Sequence, residues 1–173
     1  MRLAFISTLI AAALCLAAPQ AQADWEYTKW GMTKDAVIAA SQAAAAKDKD
    51  TNPGRIAAPP TPENLGRWQG KGDQPDLVAF YQMDEFLFTA LFYFDKDGLK
   101  SVHLMLNNAN LGSTLHTRLQ QKWGISPKSQ SDPIMTQEEW RRKEDWITFA
   151  ILGSGNSDED VVGLAYWRPG SLK

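Results

Sequence analysis

The strongest pattern of hydrophobic and polar positions lies in the middle of the chain, where it has a period of two. Residues 85–94 place four Phe and one Ala on one face, with Leu, Thr and Tyr on the other, which predicts a β-strand. Residues 76–83 and 99–106 predict its neighbours, and Asp95-Lys96-Asp97-Gly98 has the composition of the hairpin turn that leads into 99–106. Three further strands are predicted at residues 136–142, 146–152 and 160–167.

Two other segments have apolar residues at helical spacing. The first, residues 34–47, follows Thr33, a favourable N-cap, and carries Asp35 in its first turn, where the helix dipole favours negative charge. The second contains three leucines at intervals of four residues and is expected to end near Trp123, because Gly124 favours helix termination. Together these elements predict an α+β domain, with an antiparallel sheet of about five to six strands and two helices packed on one face.

The beginning of the chain has the layout of a secretory signal peptide. A short basic start, Met1-Arg2, precedes an almost wholly apolar run over residues 3–16, and Ala21-Gln22-Ala23 has the small-x-small pattern of a cleavage site. The apolar run is shorter than the roughly 20 residues of a membrane-spanning helix. We therefore expect cleavage after Ala23, a mature chain that starts at Asp24, a periplasmic or secreted location, and no stable membrane insertion.

Residues 24–173 are expected to form a single α+β domain that contains a proline-rich loop at 48–66. The sole cysteine, Cys15, lies in the predicted signal peptide, so the mature chain can form no disulfide and hold no Cys-ligated metal. Leu14 precedes Cys15 at the position where lipid attachment requires a small residue, which argues against a lipoprotein.

The balance of charges narrows the set of partners. The chain has 18 Lys and Arg against 20 Asp and Glu, and loss of Arg2 with the signal peptide changes the formal net charge from −2 to −3. Nucleic acids and anionic membrane surfaces are bound through concentrated basic patches. We therefore expect neither of them as a partner of this chain.

The candidate catalytic and metal-binding residues are better explained by structural roles than by catalysis or metal binding. The turn at residues 95–98 resembles part of a calcium loop, but Tyr93 and Leu104 stand where an EF-hand needs acidic ligands. The only imidazoles, His103 and His116, have neither a cysteine nor an acidic pair at ligand spacing. The sequence contains no phosphate-binding loop, dinucleotide fingerprint or nucleophile elbow, so we expect neither a conventional enzyme nor a cofactor.

Two acidic groups are also interpreted as surface features. Asp158-Glu159-Asp160 lies among Gly, Ser and Asn, where a solvated turn is favoured over weak calcium binding. Four carboxylates accompany the basic residues 141–143 and predict a charged strand edge that resists pairing, with paired catalytic carboxylates as the alternative: Glu138, Glu139, Glu144 and Asp145.

Aromatic residues supply the candidate binding surface. All seven tryptophans lie in the mature chain: Trp25, Trp30, Trp68, Trp123, Trp140, Trp146 and Trp167. Trp68 beside Arg67, and Trp140 beside Arg141, are the two that we expect to be partly exposed. Trp and Arg are enriched at binding hot spots, which favours a binding role. The alternative role for any one Trp ring is to pack over an end of the sheet. We predict a binding surface at Arg67, Trp68, Trp140 and Arg141.

The opening of the mature chain resembles that of small exported bacterial modules. Trp30-Gly31-Met32-Thr33 followed by Val37 is similar to the Gly-Met-Thr/Ser-x-x-x-Val opening of BamE/SmpA-like outer-membrane assembly lipoproteins and of the β-lactamase-inhibitor-protein fold. A later pattern, from the hairpin at 94–99 through Lys122-Trp123-Gly124 to Tyr166, is similar to other exported bacterial proteins. The chain lacks a lipobox and the cysteines of the inhibitor proteins. The resemblance implies a fold and a compartment and transfers no catalytic residue.

Export, the lack of catalytic motifs and the aromatic excess favour a non-enzymatic periplasmic protein that binds another envelope protein. Such a protein would act as a protein-binding or envelope-assembly module. The alternatives are an inhibitor of a secreted or periplasmic hydrolase, and a small-ligand carrier with the proline-rich segment as a flap. The oligomeric state does not follow from the sequence.

Overall fold

The alternating segments of the chain form one antiparallel sheet in the computed structural model, which describes residues 25–41, 45, 75–142, 145–153 and 157–171. The predicted signal peptide, the proline-rich loop at 48–66, and the predicted binding residues Arg67 and Trp68 lie outside the described residues.

The sheet has seven strands and consists of two meanders. The strands are β1 (Leu77–Met83), β2 (Phe86–Asp95), β3 (Gly98–Leu106), β4 (Lys128–Asp132), β5 (Met135–Arg141), β6 (Trp146–Leu152) and β7 (Val161–Trp167). Their order across the sheet is β1-β2-β3-β7-β6-β5-β4, and every neighbouring pair is antiparallel. The first meander is β1–β3, the second is β4–β7, and the pairing of β3 with β7 joins them at the centre.

The expected α+β sheet of about five to six strands is wrong, because the fold is mostly β and has seven strands. The strand that the sequence did not reveal is β4, whose five residues, Lys-Ser-Gln-Ser-Asp, are all exposed. An edge strand with no buried face needs no apolar alternation, since it pairs with β5 through the backbone and through polar side chains such as Lys128. The other six strands lie within one or two residues of their predicted positions.

The two helices within the described residues are short, and both contribute to the same core. Helix α1 (Lys34–Ala40) begins as predicted after Thr33, whose hydroxyl accepts a hydrogen bond from the Ala36 amide at 3.2 Å. It ends at Ala40, earlier than the expected end at residue 47; residues 42–44 and 46–47 lie outside the described residues. Helix α2 (Gly112–Trp123) follows a 3₁₀ turn at Ala109–Leu111 and ends before Gly124, as predicted.

The main core lies between the helices and one face of the sheet. The predicted face of β2 is confirmed, because Phe86, Phe88 and Phe92 are fully buried. These rings join the buried residues of both helices and of the segment that precedes α1, including Val37, Leu115, Leu119, Trp25 and Trp30. Each large apolar side chain buried in this way contributes roughly 1.5–3 kcal/mol, so this face supplies most of the driving force for folding.

The segment before α1 runs beside the turn between β2 and β3. The Gly31 amide donates to the Leu99 carbonyl at 3.2 Å, and the Leu99 amide donates to the Met32 carbonyl at 2.9 Å. Gly98 has a φ of +92°, and a Cβ placed there would lie 2.8 Å from the Cα of Gly31 and closer still to its carbonyl. Only glycine therefore fits at this contact between the segment and the predicted hairpin turn.

The opposite face of the sheet carries a second, smaller cluster. Its buried members are Val78, Leu91, Tyr93, Met105 and Val161. His103 is buried on the same face, with its ring centroid 4.6 Å from that of Tyr93 and 4.8 Å from that of Trp167. Burial, with a smaller effect from the charge of Lys100, lowers the pKa of His103 to about 3. His103 is therefore a neutral core side chain at neutral pH.

Replacing Gly98 with Ala is expected to destabilise the protein by about 2–4 kcal/mol, because the added methyl group meets the Gly31 backbone and the φ becomes strained. Gly170→Ala is the matched control, since Gly170 has a φ of +80° but open space around its Cβ position. The control should lose only about 1 kcal/mol. Urea unfolding of both variants measures the difference, and equal losses would show that the contact with Gly31 is unimportant.

The burial of His103 predicts a loss of stability in acid. Its pKa is about 3 in the folded chain against 6.5 as the ordinary value, so between these pH values the unfolded state binds more protons. This linkage should lower the free energy of unfolding by about 2–3 kcal/mol between pH 7 and pH 4.5. His103→Gln removes the effect, whereas the contributions of the carboxylates remain. Urea unfolding across this range should show the two proteins converging as pH falls, and parallel profiles would contradict the assignment.

Candidate functional site

The structure describes two of the four predicted binding residues, Trp140 and Arg141, and places them on opposite faces at the end of β5. The expected partial exposure of Trp140 is wrong, because its side chain is buried and its indole Nε1 donates to the Gly124 carbonyl at 3.0 Å. Strand alternation turns Trp140 toward α2 and Arg141 away from it. Arg141 is exposed, and its guanidinium carbon lies 4.5 Å from the ring centroid of Trp146.

A cleft of about 330 Å³ lies where the end of α2 meets the end of β5. Its walls are formed by Trp123, Ile125, Pro127 and Trp140, and its cations are Lys122, Arg141 and Arg142. A second cavity of about 200 Å³ shares three of these residues and adds Asp145, Ile147 and Tyr166. We call the first of these cavities the Trp123 cleft. It contains both of the described residues that the sequence predicted for binding.

The ring of Trp123 is held by other aromatic side chains. Its centroid lies 5.5 Å from that of Trp140 and 6.5 Å from that of Tyr166, both in edge-to-face geometry. Gly124 then ends α2 with a φ of +83°, and its amide donates to the Gln120 carbonyl at 2.8 Å. This change of direction leaves Trp123 partly exposed and places the next residue, Ile125, on the rim with 84% of its surface exposed.

The loop between α2 and β4 is fastened to β5. The hydroxyl of Ser126 accepts a hydrogen bond from the Glu139 amide at 3.0 Å and lies 2.8 Å from the Glu139 carbonyl. The carboxylate of Glu139 is buried and binds Lys128 Nζ at 2.6 Å and Arg141 Nε at 3.3 Å. Burial by itself raises the pKa of Glu139, but the two cationic donors lower the pKa further, and the net shift is downward. This ionised group therefore holds one wall of the cleft in place.

The described cations of the cleft outnumber the described carboxylates beside them. Lys122 Nζ lies 5.5 Å from the ring centroid of Trp123. Among the residues that the structure describes, neither Lys122 nor Arg142 forms an ion pair. The nearby carboxylate of Asp145 is buried and accepts a hydrogen bond from Trp30 Nε1 at 3.2 Å. Both cations are exposed and can therefore meet a ligand.

Glu138 and Glu139 do not lie at a strand edge, so that expectation is wrong. The edge strand on this side of the sheet is β4, which pairs with β5 and separates both carboxylates from the edge. Glu138 is buried under α2, where its Oε1 lies 3.0 Å from His116 Nε2 and accepts from Gln120 Nε2 at 3.2 Å. The His116 ring stacks on Phe149 at 5.3 Å. This cluster fastens the helix to the sheet, and Glu144 lies outside the described residues.

The remaining candidate groups form turns. Asp95 and Gly98 close the β2–β3 hairpin as predicted, with the Asp97 amide donating to Asp95 Oδ1 at 2.8 Å. Asp158 lies in a turn and accepts from the side chain of Asn110. Within the described ranges, no group of three or more His, Cys, Asp and Glu side chains is arranged to hold a metal ion. In the same ranges, no helix is long and apolar enough to cross a membrane.

Sequence reasoning missed Lys122, Trp123, Ile125 and Arg142 as parts of the site. The adjacent basic residues Arg141 and Arg142 were a usable signal, because they follow an aromatic residue near the end of a predicted strand. Ile125 carried no comparable signal, since an exposed isoleucine after a helix cannot be told from a buried one without the tertiary structure.

A scan against protein-family models, a search of curated proteins and a search of solved structures found no match to this chain. The resemblance to BamE/SmpA-like and inhibitor-protein modules therefore stays a prediction. The Trp123 cleft is defined by its own geometry: a fixed aromatic wall, an exposed isoleucine and a surplus of positive charge.

Proposed function

We propose that this chain is an exported, non-enzymatic protein-binding module of the bacterial envelope and that the Trp123 cleft is its interaction surface. The observation that carries the proposal is the combination of a supported Trp123 ring, an almost fully exposed Ile125 and exposed cations at one place. Aromatic residues and Arg dominate the energetics of protein interfaces, and exposed apolar groups with a polar surround are typical of docking sites.

The shape of the cleft favours a protein over a small molecule. Small-ligand sites enclose most of the ligand surface and are lined chiefly by apolar groups. Here the cations Lys122, Arg141 and Arg142 are exposed, and Ile125 projects from the rim. An exposed isoleucine contributes binding energy only when a second surface covers it. The ligand-carrier alternative is supported by the adjoining cavity of about 200 Å³.

The proposed compartment rests on the start of the sequence. The basic start, the apolar run and Ala21-Gln22-Ala23 support export, and the absence of cysteine from residues 24–173 is compatible with a domain stabilised by its core. Inhibition of a secreted or periplasmic hydrolase is a special case of protein binding, and the same surface would serve it. The partner that we propose is another envelope protein.

Photo-crosslinking tests the proposed surface. A benzoylphenylalanine residue at position 125, in the protein expressed by its native host, should form an adduct with one envelope protein. Position 134 is the matched control, because Ile134 is also an exposed isoleucine, with 74% of its surface exposed. It follows the C-terminal end of β4, whereas Ile125 precedes the strand. Five residues of extended chain separate the two sites by roughly 17 Å. Adducts at position 125 only are expected; no adduct there, or the same adducts at both positions, would remove the support for this surface.

A charge on the rim should weaken the interaction without unfolding the protein. Ile125→Asp is expected to reduce the yield of the partner in an affinity pull-down by about tenfold, since it puts a charge into an apolar contact. Ile134→Asp should leave the yield unchanged. Both substitutions are at exposed positions and should change the free energy of unfolding by less than about 0.5 kcal/mol. Equal yields from the two variants would contradict the proposed site.

A further inference from the structure

We infer that the Trp123 cleft takes a short acidic segment of its partner, with carboxylates placed at Lys122 and Arg142 and an apolar side chain placed against Trp123 and Ile125. This inference rests on the proposed protein-binding function and names the chemistry of the occupant. It follows from the charges around the cleft, from the apolar groups beside them and from the net charge of the whole chain.

The exposed cations of the cleft favour an anionic partner. Lys122 and Arg142 form no ion pair among the described residues, and both side chains are exposed. The carboxylate of Asp145, which lines the adjoining cavity together with both cations, is buried and accepts a hydrogen bond from the Trp30 indole. Glu139 is shared by Lys128 and Arg141, so it does not neutralise the other two cations. A guanidinium group presents five N–H donors and suits bidentate binding of a carboxylate.

The apolar side chains of the cleft favour a partner that has apolar groups as well as negative charge. Trp123 is supported by Trp140 and Tyr166, so its ring presents a fixed surface with little entropy left to lose on binding. Ile125 adds an apolar side chain that is 84% exposed. An inorganic anion would satisfy the cations but leave these two side chains in water. A peptide segment that carries both acidic and apolar residues satisfies both sets of groups.

The surplus of positive charge is local to the cleft. The chain as a whole has a formal net charge of −2, so it exerts no general attraction on acidic molecules. Attraction at the cleft acts over about one Debye length, roughly 8–10 Å at physiological salt, which is the scale of a few residues of extended chain. A nucleic acid or an anionic membrane would need a much broader basic surface. The site therefore suits a short linear segment.

Fluorescence anisotropy of labelled synthetic peptides tests the inference on the purified protein. The acidic–apolar probe is Asp-Glu-Leu-Phe-Asp-Glu. One control, Asn-Gln-Leu-Phe-Asn-Gln, keeps the shape and removes the charge, and the other, Asp-Glu-Gly-Ser-Asp-Glu, keeps the charge and removes the apolar side chains. The probe should bind at least about tenfold more tightly than either control, because only the probe meets both the cations and the apolar wall.

Variants of the protein locate the binding. Lys122→Ala and Arg142→Ala should each weaken binding of the probe by about tenfold, and added salt should weaken it further. Arg118→Ala is the matched control, because Arg118 is an exposed cation on the same helix that lies outside the cleft. It should leave the affinity for the probe unchanged. All three side chains are exposed, so the variants are expected to fold.

The outcomes separate this inference from the function on which it rests. Equal binding of the probe and the uncharged control would overturn the acidic occupant and leave a protein-binding cleft. Equal binding of the probe and the charged control would overturn the apolar contact. If no peptide binds while position 125 still crosslinks to a protein, the partner presents a different chemistry and only the inference fails. If position 125 gives no adduct and no peptide binds, both the inference and the proposed function fail.

Discussion

The antiparallel pairing of β3 with β7 joins the two meanders of the sheet, and its register sets how the second meander lies against the common core. It aligns Ser101 with Trp167 and Met105 with Gly163, residues more than fifty positions apart in the chain. Since side chains alternate between faces, a slip of one residue would turn Tyr166 away from the helices and expose the residues that now fill the core. The central contact is therefore non-local, and it decides which side of the second meander faces α2.

The registers of β5 with β6 and of β6 with β7 build the Trp123 cleft. Tyr166 on β7 and Trp140 on β5 come to lie on one face, where both rings support Trp123 at the end of α2. The side chain of Arg141 points to the opposite face. Because Arg141 is the last residue of β5, it still borders the same cleft. Rigid aromatic groups on regular elements form a better binding surface than loop residues, because less conformational freedom is lost when a partner docks.

Buried polar groups fasten the helix and the edge strand to this frame. Glu138 binds His116 and Gln120 of α2, whereas Glu139 binds Lys128 of β4. Such groups contribute little net stability compared with apolar side chains, but a wrong arrangement would leave a charge buried and unpaired. They therefore favour one placement of α2 and β4 over its alternatives. The position of β4 also explains why the carboxylates of β5 lie inside the sheet.

The sequence by itself determined the local elements: six strands, the hairpin at Asp95–Gly98, the N-cap at Thr33 and the end of α2 before Gly124. Each depends on the period of apolar residues or on a single cap or turn residue, and neighbours along the chain are enough to specify it. Only the tertiary structure decided that Lys128–Asp132 forms an edge strand, that Trp140 is buried and that Lys122, Ile125 and Arg142 surround one cleft. These features depend on which side chains are buried by segments distant in sequence and which remain exposed. Such long-range contacts leave no periodic pattern in the chain.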